Sequence, residues 1–282
     1  MSNDTQPGAG GLPMVALRGA GGAAADVYLH GAHVTSWRPA RDGDERLFLS
    51  ERAEFRAGSA IRGGIPVIFP QFAAEGPLPR HGFARTSEWT LDSVSSDRGD
   101  AVATLSLRDT PETRAIWNHA FLATLGVRVG GDQLAVTLTV ENRGRTPLAF
   151  TAALHSYLRV YDAHDATIVG LRGTRHRESG APGTLVREPG NALRVDGEVD
   201  RVYVSVPRTL TLWEPERSLE IGFDTFPDAV IWNPGSTKAA ALADLEPGGE
   251  RHMVCVEAAA VQRPIVVAAG GRWSGTQLFR AA

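Results

Sequence analysis

Apolar and polar side chains alternate along most of this chain, in short runs bounded by Gly, Pro, Asn or Asp. The clearest are AVATLSLR at 101–108, FLATLGVRV at 121–129, QLAVTLTVENR at 133–143 and LAFTAALHSYLRV at 148–160. Further along come VDRVYVSV at 199–206, TLTLWE at 209–214, SLEIGF at 218–223, AVIWNP at 229–234, HMVCVEAA at 252–259 and PIVVAA at 264–269. A period of two, rich in β-branched and aromatic residues, marks half-buried strands. Nearer the start, DVYLHGAHVTSWRPA reads as two strands around Gly31, the second ended by Pro39. VGGDQ at 129–133 and ENRGRTP at 141–147 read as hairpin connections, because Gly and Asn tolerate the positive φ of tight turns. Helical signal is confined to 111–118, with Asp109 or Thr110 as cap and Pro111 in first position, and to 235–242 after Pro234. Helices so few cannot cover a parallel sheet, so the sheets must bury one another. The expected fold class is all-β, a large antiparallel β-sandwich with few short helices. The polar stretch 172–192 reads as a long connection, either lining a site or merely joining strands.

Composition sharpens this picture. Thirty-one glycines and 17 prolines, about one residue in six of 282, suit many short strands better than long helices. The length fits one sandwich over 11–282, preceded by a frayed tail at 1–10. With 29 basic against 32 acidic residues the net charge is −3, far from the cationic balance a nucleic-acid binder needs. The one cysteine, Cys255, has no partner for an internal disulfide and no metal-ligand spacing around it, which points to a reducing compartment. The first residues carry no cationic start followed by an apolar run, and no stretch of about 18 apolar residues occurs. The expectation is a cytoplasmic monomer with neither membrane nor nucleic acid as partner.

Candidate chemistry concentrates in three places. The first is Ser59 to Arg85, SAIRGGIPVIFPQFAAEGPLPRHGFAR, where four prolines fix the path and Gly63–Gly64 allow a close backbone approach. Arg62, Arg80 and Arg85 there supply guanidinium forks suited to phosphate or carboxylate, and His81 stands beside them. Solvated arginines and a turn histidine are the plain alternatives. The second is His155, which period-two counting puts on one face with Ala153, Tyr157 and Arg159; a satisfied structural histidine is the alternative. The third is Glu257, on the same face as Met253 and Cys255, where an unpaired carboxylate would be costly to bury; a strand-end glutamate reaching solvent is the alternative. Asp200, at a strand start, is a weaker candidate because such aspartates often cap a turn.

Taken in order, RGGIPVIFPQF, LPRHGFAR, LHSYLRV, VDRVY, IWNP and DLEPGGERHMVCVEAA resemble the aldose 1-epimerase (galactose mutarotase-like) superfamily, and within it the hexose-6-phosphate mutarotases. The resemblance runs from about Gly19 to Gln277. It implies a single-domain antiparallel sandwich with a carbohydrate site, in agreement with the strand pattern. It also implies His155 as the catalytic histidine and Glu257 as the catalytic carboxylate, with Arg62, Arg80, His81, Arg85 and Asp200 binding substrate. The implied reaction opens and recloses a hemiacetal, for which an acid and a base near the working pH suffice and no metal or organic cofactor is required. Relatives often carry a neutral polar residue at position 80, glycine at position 73 and a small turn residue at position 259, where this chain has Arg80, Ala73 and Ala259. Three other readings stay open: a mutarotase for free aldoses, a non-catalytic sugar-binding protein on the same fold, and a glycosidase. The glycosidase commonly needs two carboxylates, here replaced by histidine and carboxylate.

Overall fold

The computed structural model describes residues 4–179 and 183–282. Two large antiparallel sheets carry the fold. The nine-stranded sheet runs Ala192–Arg194, Thr167–Val169, Thr209–Trp213, Ser218–Asp224, Arg272–Ala281, Gln133–Asn142, Phe121–Gly130, Asp100–Arg108, Thr90–Asp97. The eight-stranded sheet runs Val186–Arg187, Arg175–Glu178, Val199–Val204, Asp228–Asn233, Met253–Val267, Leu148–Leu154, Val67–Ile68, with Tyr157–Arg159 also paired to Met253–Val267. A four-stranded sheet of Gln6–Pro7, Pro13–Arg18, Ala24–Tyr28 and His33–Arg38 adds to one end. The fold is all-β, as the alternation requires.

The inner faces of the sheets share one core, which takes in Val15 and Trp37 from the small sheet, Leu125, Val127, Val136 and Phe279 from the nine-stranded sheet, and Val254, Val256 and Ala258 from the other. Phe69 lies near its centre, with the rings of Trp117, Phe121 and Phe150 edge-on at 5.2–5.4 Å. Such pairs add to area burial because a positive ring edge meets a negative ring face. Two short α-helices form among the described residues, Pro111–Ile116 and Gly235–Ala239. Thr110, not Asp109, caps the first: its hydroxyl accepts from Thr113 N–H, and the Thr113 hydroxyl accepts from Thr110 N–H.

Several segments differ from their sequence reading. LAFTAALHSYLRV is two strands interrupted at His155 and Ser156. The runs at 252–259 and 264–269 join into one strand of 15 residues, with an irregularity where Asp228 accepts from the N–H groups of Val261 and Gln262. Thr90–Asp97 pairs with Asp100–Arg108 although its residues are mostly polar, because an edge strand exposes most of its side chains. Within 172–192, Arg175–Glu178 pairs with Val199–Val204 and extends the site-bearing sheet, and residues 180–182 of that stretch lie outside the described residues. Gln6 and Pro7, inside the stretch expected to fray, pair with Met14 and Pro13, and Ala9 N–H donates to the Tyr28 hydroxyl. No helix among the described residues is long and apolar enough to cross a membrane.

His33 links the small sheet to the site loop. Its Nε2 donates to the carbonyl of Gly63 at 2.7 Å, and burial pushes its pKa from 6.5 down to about 4. Between those values the unfolded chain takes up a proton that the folded chain refuses, so stability should fall as pH drops from 6.5 to 4, by up to about 3 kcal/mol from this residue. In urea titrations at pH 7 and pH 4.5, His33→Asn should lose a corresponding part of the pH dependence. An unchanged slope contradicts this assignment.

Candidate active site

The strand Met253–Val267 is buried on both faces over most of its length, so it reads as a continuous apolar run. Val254, Val256 and Ala258 sink into the main core. On the opposite face Met253 and Cys255 pack with Phe48, Tyr157 and Leu245, while Ala259 and Val261 pack with Ile68, Phe72, Val202 and Val230. Glu257 lies between these two apolar clusters and is 1% exposed. Burial, and then the charge of Asp200, pushes its carboxyl well above the usual range. Burial also raises the Cys255 thiol, which makes it an inert packing group.

Register brings His155 to this carboxyl. Leu154 pairs with Ala258 before the break in the neighbouring strand and Tyr157 with Cys255 after it, so the same register places His155 opposite Glu257. Opposite residues in an antiparallel pair have Cβ atoms about 5 Å apart. His155 Nδ1 lies 3.3 Å from a Glu257 carboxylate oxygen, yet the approach is not aligned as a hydrogen bond. Nδ1 of His155 and Oε2 of Glu257 are both buried without a hydrogen-bond partner. The imidazole stacks on Tyr157 at 4.8 Å with 8° between planes and meets Trp232 edge-on at 5.8 Å. Burial, then electrostatic interaction with His81, Arg85 and Arg62, hold His155 well below 6.5.

These two face a cavity of about 210 Å³ that all seven residues singled out in the sequence line: Arg62, Arg80, His81, Arg85, His155, Asp200 and Glu257. Their states differ. Arg62 donates from Nε and Nη2 to the two Asp244 carboxylate oxygens at 3.2 and 3.1 Å, and from Nη1 to the Tyr157 hydroxyl at 2.9 Å. Its fork is thereby fixed along the cavity wall. Arg85 has a buried Nε with no hydrogen-bond partner, and Arg80 is exposed. His81 N–H donates to Ala73 O at 2.9 Å, while its Nδ1 accepts from Ala73 N–H at 3.3 Å. That acceptor role leaves the proton on Nε2, and burial, reinforced by Arg85 and Arg80, lowers the pKa to about 3, so the ring stays neutral at ordinary pH. Burial raises the Asp200 carboxyl, opposed by a hydrogen bond from Ser179.

The loop carrying these groups is pinned where side chains would not fit. A Cβ on Gly63 would lie 2.4 Å from the Phe48 carbonyl, and one on Gly64 2.3 Å from the Val34 carbonyl; both have positive φ. Arg177, on Arg175–Glu178 next to the sheet edge, holds the loop from outside with a two-pronged bond to Glu75 at 2.9 and 2.7 Å. Sequence reading missed Tyr157, Asp244, Ser179 and Trp232 as cavity or support residues. Asp244 and Tyr157 did lie inside segments already noted, DLEPGG and LHSY, but only the fold shows that they converge on Arg62. A larger cavity of about 400 Å³ at the edge of the same sheet contains none of the seven residues. Its aspartate, Asp228, already accepts from backbone N–H groups of Ser205, Val261 and Gln262.

Comparison with known proteins places the chain in a family. The family model described as aldose 1-epimerase matches residues 13–280. A protein of Cenchrus ciliaris named “Putative glucose-6-phosphate 1-epimerase” is 37% identical over 277 residues, covering 94% of this chain and 83% of the relative. One of the same name from Escherichia coli K12 is 34% identical over 246 residues, covering 83% and 79%. The crystal structure of the “putative mutarotase” YeaD from Salmonella typhimurium superposes with a TM-score of 0.88 at 27% identity, covering 96% of this chain and 90% of that one. The chain belongs to the aldose 1-epimerase family.

Ala73 offers a local check on the site. It holds φ +47°, a left-handed conformation that costs an alanine about 1 kcal/mol more than a glycine. Ala73→Gly should therefore raise the midpoint of thermal unfolding, with the His81 contacts intact. A lower midpoint would show that the alanine methyl contributes packing that outweighs the backbone strain.

Proposed function

We propose that this protein interconverts the α and β anomers of a hexose 6-phosphate, glucose 6-phosphate foremost, by acid–base opening and closure of the pyranose ring. The observation that carries the reading is the cross-strand pair His155 and Glu257, buried at a cavity whose wall and mouth hold three arginines. In the opening step Glu257 takes the proton of the C1 hydroxyl while His155 gives one to the ring oxygen. The C1–O5 bond breaks, leaving the open-chain aldehyde. Rotation about C1–C2 presents the other carbonyl face, and closure returns both protons in the opposite sense. Atoms and charge balance without a co-reactant, and each group regains its starting state over the cycle.

Burial disfavours the ionised forms of both groups, so one proton shared by the pair is the working state. A neutral imidazole with a protonated carboxyl and an imidazolium with a carboxylate contain the same number of protons; the reaction needs only that the proton move. The arginines are the part of the reading that favours a phosphorylated sugar. Arg85 and Arg80 are free of the bidentate partner that holds Arg62, and a phosphate there would offset their mutual repulsion. His81 Nε2–H and Asp200 supply a donor and an acceptor for sugar hydroxyls. The single, buried Cys255 and the phosphorylated substrate class favour the cytoplasm as the place of work.

Two measurements test this reading. Approach to anomeric equilibrium, followed from pure α-glucose 6-phosphate beside free glucose and galactose, should be accelerated most for the phosphate. His155→Ala and Glu257→Gln should each lower kcat by roughly a hundredfold or more. Arg85→Ala should raise KM for glucose 6-phosphate and leave free glucose little affected. Wild-type rates in both pair variants overturn the acid–base assignment, and a preference for free sugar that survives Arg85→Ala overturns the phosphate. The second measurement is the pH profile of kcat/KM. Because the His155 pKa is lowered, the acid-side loss should begin below 6.5; because the Glu257 pKa is raised, the alkaline loss should lie well above 4.5. An acid limb centred at or above 6.5 contradicts the buried-pair account.

A further inference from the structure

Gln277 is a fully buried polar residue that the chemistry above does not use. It sits in Arg272–Ala281 of the nine-stranded sheet, between Phe223 and Val136, and is 0% exposed. Its side chain crosses the core to the other sheet. There Nε2 donates to the carbonyl of Val256 at 2.8 Å, and Oε1 accepts from the Ser156 hydroxyl at 2.7 Å. Val256 precedes Glu257 and Ser156 follows His155, so one amide touches the neighbour of each member of the pair.

The reason lies in the ladder. Within the register that sets His155 opposite Glu257, Ser156 faces Val256. Val256 N–H donates to Ser156 O at 3.1 Å, as a continuous sheet requires. The reciprocal bond is missing, because Ser156 N–H turns back to Leu154 O at 2.9 Å. This local turn interrupts the strand and leaves the Val256 carbonyl without its ladder partner in the buried core. An unpaired buried carbonyl costs about 1–3 kcal/mol. Gln277 supplies the missing donor, and its own carbonyl is taken by Ser156 in return.

We propose that Gln277 is a positioning residue for the acid–base pair: it replaces the lost ladder bond, holds open the strand break that aims His155, and fixes the backbone beside Glu257. The inference rests on the anomerase reading of the pair, though not on the identity of the sugar. Both contacts must be satisfied for the imidazole and carboxyl to keep one relative position, because each lies one residue from an end of the same amide bridge.

Three variants test it by kcat, KM and the pH profile, measured well below the unfolding midpoint. Gln277→Met keeps the volume and removes both bonds, and it should lower kcat about tenfold or more with KM within about threefold, since small misplacements of reacting groups act on the chemical step. Gln277→Glu keeps the acceptor and has a donor only when protonated, so its kcat relative to wild type should recover as pH falls. Ser156→Ala removes one bond, should lower kcat by less than Gln277→Met, and should cost little more when added to it. Wild-type kcat per folded molecule in Gln277→Met overturns the proposal. If that variant does not fold, wild-type kcat and pH profile in Ser156→Ala overturn it. A wild-type protein that fails to accelerate anomerisation of any of the three sugars would instead defeat the functional reading itself.

Discussion

The register between Met253–Val267 and its interrupted neighbour is the constraint on which the rest of the site depends. It sets an imidazole opposite a carboxyl on a strand otherwise flanked by apolar clusters on both faces over most of its length. Neither group has a hydrogen-bond partner that would settle its proton, and burial disfavours charge on each. In the mechanism we propose, such a pair carries one proton between its two members, which is the requirement for moving a proton from one sugar oxygen to another. Glu257 on a strand buried from two sides, and His155 in a two-residue break flanked by strands of the same sheet, have their separation fixed more firmly than free loops would fix it.

Charge around the pair is arranged by pairing some cations and leaving others. The chain is acidic overall, at −3, yet Arg62, Arg80 and Arg85 converge on one cavity. Asp244 and the Tyr157 hydroxyl occupy the Arg62 fork, so that arginine acts as a fixed wall and a tether for Tyr157, which in turn stacks on His155. Arg85, with its buried and unpartnered Nε, keeps its charge available. Net charge therefore says nothing about this site; the local pairing decides which arginines meet a ligand.

The sequence made the fold class legible because strands in a two-sheet sandwich alternate, and it singled out the seven residues that line one cavity because they fall in short unusual segments and in motifs of one family. What escaped has a physical explanation in each case. Thr90–Asp97 and Arg175–Glu178 lie at or near sheet edges, and their pairing leaves no clean apolar period. The break at His155 lies inside an unbroken alternation, since the turn at Ser156 restores the register within two residues. Gln277 stands in a strand that reads WSGTQLF, where a single inward glutamine looks like an outward polar residue until the opposite sheet is in place. The roles of Asp244 and Arg177 likewise depend on partners 182 and 102 residues away in the chain.

The proposed mechanism requires His155 and Glu257 to act as one unit on one proton. Groups that act as a unit lose their effect together, so removing the second after the first changes little. Magnetisation exchange between the α and β anomeric protons of glucose 6-phosphate at equilibrium reads the turnover directly. The double variant His155→Ala with Glu257→Gln should exchange about as slowly as the slower single variant. Losses that multiply, with the double variant slower by the product of the two single effects, would contradict a shared proton and with it the mechanism.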